Sequence, residues 1–89
     1  MLELVRKSRF KKDFKKLFSS GKDLDKLALI IRMLQAEEPL PERNRDHALT
    51  GNYAGHRECH VSPDWLLIYQ TTDTELILVR TGSHSELFG

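Results

Sequence analysis

The sequence predicts an α+β fold on three observations. Two stretches within residues 9–38 carry apolar residues at helical spacing, the period changes to two from Gly55 onward, and turn residues cut the remainder into consecutive strands. The expected architecture is an N-terminal strand and two helices packed on an antiparallel β-sheet, with a short C-terminal tail. At 89 residues the chain is read as a single domain, 1–89, with one modest core.

Leu2 and Leu4 alternate with Glu3, and Val5 follows, which suggests a short first strand. Ser8 is placed to cap a helix over 9–19, where Phe10, Phe14, Leu17 and Phe18 fall on one face and Lys11, Lys12, Lys15 and Lys16 lie on the other sides. Ser19-Ser20-Gly21 ends it. Asp23 caps a second helix to about Glu38, with Leu24, Leu27, Ala28, Ile31 and Leu34 as its stripe. Pro39 and Pro41 forbid continuation because proline lacks the N–H and clashes with the preceding turn. Residues 39–52 read as a loop, with His47 inside it and Leu49 as an anchor. In the strand that follows, Arg57, Cys59 and Val61 share one face, and Glu58 and His60 the other. Ser62-Pro63-Asp64 is a turn. Trp65–Tyr69 is apolar on both faces and reads as a central strand, 71–73 as a second turn, and Leu76–Val79 as another buried strand. Consecutive strands with tight turns make an antiparallel meander.

Composition narrows the class. Hydrophobic content of 39% and charged content of 30% suit a water-soluble globular domain, and no apolar run approaches the roughly 18–20 residues that span a bilayer. The N-terminus lacks a signal-peptide pattern and Cys59 is alone, so no intrachain disulfide forms and the cytoplasm is the expected compartment. The net charge is only +1, but residues 1–45 hold 12 Lys+Arg against 7 Asp+Glu, while residues 46–89 hold 2 against 6. A basic half of this kind is either a solvated helix face or a footprint for a phosphate backbone.

The chemistry-bearing residues lie at element ends. Glu58 and His60 are two apart on a strand, so their side chains share a face at about 6.5–7 Å. Asp64 follows across a turn and can hydrogen-bond an imidazole and fix its tautomer. Arg80 ends the last strand, and Gly82 lets the chain bend back before His84. Two histidines and an arginine can cut RNA without an external nucleophile: one ring removes the 2′-OH proton, the other protonates the 5′ leaving oxygen, and the cation stabilises the phosphorus. The histidine spacings of 13 and 24 residues lack a local paired-ligand pattern, so no metal is expected. Trp65 fits either a core position or a base-stacking platform, and Phe88 either core packing or ligand stacking.

Asp46-His47-Ala-Leu49-x-Gly51, Gly55-x-Arg57-Glu58-Cys-His60-Val-x-Pro63-Asp64-Trp65 and Arg80-x-Gly82-Ser-His84-Ser-Glu-Leu-Phe88 together resemble the YafQ-type branch of the RelE/ParE toxin superfamily. The resemblance runs along the whole chain. It implies a RelE-like fold and the toxin of a type II toxin–antitoxin pair, a metal-independent messenger-RNA endoribonuclease that works in the ribosomal A site. It also implies no cofactor, a cognate antitoxin as partner, and contact with operator DNA only through the antitoxin complex. The matched catalytic positions are His47, His60, Asp64 and His84, with His60 as base and His84 as acid. Glu58, Trp65, Arg80 and Phe88 match substrate-binding positions, and Lys11, Lys12, Lys15 and Lys16 are expected on ribosomal RNA. Two alternatives stay open: a non-enzymatic gyrase inhibitor of the ParE branch, which needs no paired histidines, and a nuclease-dead RNA-binding protein.

Overall fold

The computed structural model describes residues 1–89. Strand β1 (Glu3–Arg6) leads into helices α1 (Ser8–Ser20) and α2 (Leu24–Gln35); strands β2 (His47–Ala48), β3 (Arg57–Ser62), β4 (Trp65–Thr71) and β5 (Glu75–Gly82) follow, and helix α3 (His84–Phe88) ends the chain. The strands form one sheet in the order β1-β5-β4-β3-β2. The predicted meander of β3, β4 and β5 is present and antiparallel, but β1 pairs with β5 in parallel, Glu3 opposite Glu75. From α2 the chain enters the sheet at its far edge and fills it inward, so its last strand arrives beside its first running the same way. That pairing joins residues some seventy positions apart, and local periodicity carries no trace of it.

Strand alternation separates two layers. Cys59, Val61, Trp65, Leu67, Tyr69, Leu76 and Leu78 face the helices and close on Leu2, Phe10, Leu17, Leu27, Ile30 and Leu34. Removing this apolar surface from water is the main force holding the helices to the sheet. On the opposite face Leu66 and Ile68 meet Leu87 of α3, with Leu49, Tyr53 and Val79 partly buried around them. Glu58 and His60 stand on this second face, because Glu58 pairs with Ile68 and His60 with Leu66.

Several element ends depart from expectation. Ser8 does not cap α1: Lys7 holds that position without a side-chain hydrogen bond, and Ser8 is the first helical residue. Phe18, expected on the buried stripe, is 72% exposed, because α1 turns it past the edge of the core. Asp23 does cap α2, accepting from the Asp25 N–H at 3.1 Å. That helix stops at Gln35, short of Glu38, and Glu37 takes a positive φ of 58° just beyond. The 39–52 loop contains short 3-10 turns at Glu42–Asn44 and Gly51–Tyr53 with β2 between them. The expected tail is a helix, closed by a capping box in which Ser83 Oγ accepts from the Glu86 N–H while Glu86 Oε1 accepts from the Ser83 N–H.

One edge bears on the site. Strand β1 ends at Arg6 opposite Leu78, so the last residues of β5, paired with β4 on one side, have no strand on the other. Helix α1 covers the gap with Asp13, whose carboxylate accepts from Arg80 Nε at 2.8 Å, Arg80 Nη2 at 3.0 Å and the Thr81 N–H at 3.2 Å. No helix of the chain is long and apolar enough to cross a membrane.

Candidate active site

Three histidines converge on the second face of the sheet from three separate elements. Strand β3 supplies Glu58 and His60; β2 pairs with it so that His47 stands opposite Glu58. The Nε2 atoms of His47 and His60 lie 3.6 and 3.7 Å from Glu58 Oε1. Glu58 is 4% exposed, so this carboxylate is read by the two rings and not by solvent. His47 donates Nδ1–H to the Arg45 carbonyl at 2.7 Å, since a carbonyl only accepts, and this turns Nε2 toward Glu58. His60 is held through its backbone: Asn44, itself buried, donates from Nδ2 to the His60 carbonyl at 2.7 Å.

His84 closes the group from the start of α3. Its ring centroid lies 5.6 Å from that of His60. Asp64, in the β3–β4 turn, accepts both from His84 Nδ1 at 2.8 Å and from the His84 N–H at 3.1 Å. These bonds, the side-chain one first, hold the Asp64 carboxyl below its ordinary range. Since an ionised carboxylate only accepts, His84 carries its proton on Nδ1 and keeps Nε2 free for exchange. Leu87 pins α3 to Leu66 and Ile68, which fixes where His84 stands.

The remaining predicted residues divide. Phe88 is 49% exposed and stands edge-on to Tyr53 at 5.8 Å, available to a ligand. Trp65 is 2% exposed and donates Nε1–H to Thr81 Oγ1 at 3.0 Å, so its place is the core: the apolar strand that begins at Trp65 turns the ring toward the helices, away from the histidines. Arg80, expected as a phosphate-facing cation, is bound in two places by Asp13, and that pairing raises its pKa. Lys11, Lys12, Lys15 and Lys16 are exposed on α1, and Lys16 reaches Glu86 of α3 at 3.7 Å.

Sequence reasoning missed a cleft of about 410 Å³ beside His60, lined by Lys26, Arg43, Asn44 and Arg45 together with the end of β3. Arg43 and Arg45 sit in a loop without periodicity, and Lys26 belongs to a different helix, so no local pattern joins them. The metal expectation also rested on local spacing. In the fold, ligand atoms of Glu58, His60 and His84 lie within 4.8 Å of one another, and two imidazoles with a carboxylate suit an ion such as Zn²⁺ or Cu²⁺.

Residues 2–89 match the family model described as the bacterial toxin of a type II toxin–antitoxin system, YafQ. The chain is similar to the mRNA interferase toxin YafQ of Escherichia coli strain K12, with 43% identity over 82 residues covering 91% of this chain and 89% of that one. Its fold is similar to the toxin in the E. coli DinJ–YafQ toxin–antitoxin complex (TM-score 0.91, 39% identity, 99% and 98% of the two chains covered). It is also similar to a copper-bound mutant toxin from Helicobacter pylori (TM-score 0.94, 50% identity, 99% and 100% covered).

Proposed function

The chain belongs to the YafQ family of bacterial type II toxins, and on that footing we propose that it is an endoribonuclease that cuts messenger RNA on the ribosome. The observation that carries this reading is the pair His60 and His84, 5.6 Å apart, each with a different carboxylate: Glu58 for one and Asp64 for the other. Two like groups in unlike surroundings are how a site separates an acid from a base.

In the proposed reaction the 2′-oxygen of the substrate attacks the adjacent phosphorus, and the bond from phosphorus to the 5′-oxygen breaks. His60 takes the 2′ proton, assisted by the His47–Glu58 pair. His84 enters as the imidazolium, with its Nδ1–H held by Asp64, and delivers its Nε2 proton to the leaving 5′-oxygen, ending as the neutral ring while His60 ends protonated. The products are a 2′,3′-cyclic phosphate and a 5′-hydroxyl, with atoms and charge balanced by the two proton transfers. Lys26, Arg43 and Arg45 line the cleft beside His60, where they hold the substrate backbone and the charge developing on phosphorus. This scheme takes every proton and charge it needs from side chains and needs no metal ion. Phe88 stacks on a base. The exposed lysines of α1 grip ribosomal RNA, and the cytoplasm is the compartment this reading implies. The DinJ–YafQ complex supports a cognate antitoxin as the silencing partner, with operator DNA met only through that complex.

The test is induction of the parent chain, His60→Ala and His84→Ala in bacteria, with circular dichroism to verify folding. The parent arrests growth and leaves 5′-hydroxyl ends in messages, with a rate unchanged by chelator, and each variant loses cleavage by at least about a hundredfold. Folded variants that cut like the parent overturn the assignment. A DNA-damage response without message cleavage points instead to gyrase inhibition.

A further inference from the structure

A second cleft, of about 460 Å³, opens on the β5 side of β4, away from the cleft at the end of β3. Lys7 and Arg9 come to it from the start of α1, Arg80 from β5, Gln70 from β4, and Tyr53 and His56 from the loop before β3. No acidic residue lines it. Arg80 is already paired with Asp13, so Lys7 and Arg9 are its exposed, unneutralised cations.

An aromatic row runs from this cleft to the helix that carries His84. The Phe88 ring lies 5.8 Å from Tyr53, and Tyr53 lies 5.5 Å from His56, each pair close to perpendicular. Phe88 sits on the same short helix as His84, four residues on, a rise of about 6 Å. The row therefore starts on the short helix that carries His84 and ends among cations. Successive rings beside a cationic wall without carboxylates suit a single-stranded polynucleotide: each base offers a π face and each linkage a negative charge.

We infer that this cleft is a second RNA subsite, which takes the base and phosphate of a nucleotide flanking the cleaved linkage. Tyr53 positions the base in continuity with Phe88, and Lys7 and Arg9 hold the phosphate. The inference rests on the RNA-cleaving reading above and adds three positioning residues, Lys7, Arg9 and Tyr53, that neither motif matching nor the histidine cluster points to. With the β3-side cleft, it lays the chain of the substrate across β4 with the histidines between two cationic grips.

The experiment reads binding and cleavage separately. The binding probe is a fluorescent 2′-O-methyl RNA octamer, which has no free 2′-hydroxyl to attack with. The proteins are the parent, Lys7→Ala/Arg9→Ala, Tyr53→Leu and His84→Ala. The double variant is expected to bind the octamer about tenfold more weakly, with its salt slope reduced by about 0.7 for one phosphate no longer neutralised on a single strand. On programmed ribosomes Tyr53→Leu is expected to raise KM several-fold more than it lowers kcat, whereas a variant that is merely misfolded loses both, along with its thermal transition. His84→Ala keeps octamer binding and loses cleavage. If it cleaves like the parent, the catalytic reading fails while the binding arm still scores the cleft.

Parent-like octamer affinity and salt slope in the double variant overturn the inference, as does failure of the parent to bind the octamer at low salt. An equal loss of affinity for ribosomes with and without message assigns the cleft to ribosomal RNA and overturns a substrate subsite. Weakened antitoxin binding with parent-like RNA binding assigns the surface to a protein partner and overturns it too.

Discussion

Asp64 receives both the ring Nδ1–H and the backbone N–H of His84, at 2.8 and 3.1 Å, across twenty residues of sequence. One turn carboxylate thereby does two things: it anchors the first residue of α3 to the β3–β4 turn, and it fixes the tautomer of the ring that residue carries. The position and the tautomer of His84 are set by the same oxygen.

Asp64→Asn separates these roles. The amide has nearly the same shape and its oxygen can keep the backbone bond, but its NH₂ face favours the wrong tautomer of His84. Cleavage is expected to fall by roughly 10²–10⁴-fold, with the melting temperature nearly unchanged. Parent-like cleavage by the folded variant would remove Asp64 from the mechanism.

Acid should loosen α3 before the rest of the fold. The Asp64 carboxyl is held below its ordinary 3.8 by the bonds from His84, and that of Glu86 below its ordinary 4.5 by the bonds from Ser83. Groups with lowered folded pKa stabilise fully above their unfolded values and lose that contribution as pH falls through the folded ones. Between about pH 4.5 and the lowered values, amide exchange at Leu87 and Phe88 is expected to accelerate while β4 stays protected. Uniform protection across that window would show that the capping box and Asp64 do not hold the helix.

Asp13→Ala leaves the largely buried Arg80 guanidinium and the Thr81 N–H without their acceptor. The expected cost is about 3 kcal/mol, read as a fall in Tm of roughly 10–20 °C for a domain of this size. A change of only one or two degrees would mean that α1 is held to β5 by apolar packing alone.

Divalent metal should compete with catalysis. An ion bound by Glu58, His60 and His84 would occupy ring nitrogens that the proposed proton transfers need. Added Zn²⁺ or Cu²⁺ is expected to bind one to one and inhibit cleavage, and chelator to restore it. Calorimetry should show the affinity reduced at least about tenfold in His84→Ala. Stimulation of cleavage by either ion would refute this competition.

Cys59 has no exposed surface, and burial pushes its thiol pKa up to about 12. Thiol reagents at neutral pH are therefore expected to modify it only as fast as the protein opens, with immediate reaction in denaturant. Rapid labelling of the native protein would place β3 at a mobile edge.

Much of the fold could be read from local pattern. Alternation at Glu58 and His60 puts them on one face, two-sided apolarity places β4 centrally, and Asp23 caps α2, because each depends on neighbours within a turn or a strand. The capping box of α3 was also legible as Ser83-His84-Ser85-Glu86, although the segment reads as a tail if that spacing is passed over. Trp65 was ambiguous because an aromatic at a strand's first residue suits core and ligand equally, and only its burial decides. His47 was assigned through family resemblance; its place beside Glu58 comes from a two-residue strand too short to show a period.

The sequence by itself determined the first strand, the two long helices, the β3–β5 meander, the two faces of β3, and the inventory of acids, bases and cations, all of which follow from side-chain type and spacing along a few residues. The tertiary structure decided which of them meet. It tied Arg80 to Asp13 across 67 residues, brought His84 to His60 and Asp64, and separated Lys7 and Arg9 from the cleft of Arg43 and Arg45. Those pairings depend on strand order, on where β1 stops along β5, and on Leu87 docking against Leu66 and Ile68. They are consequences of burying apolar surface from the whole chain at once, which no local window of sequence encodes.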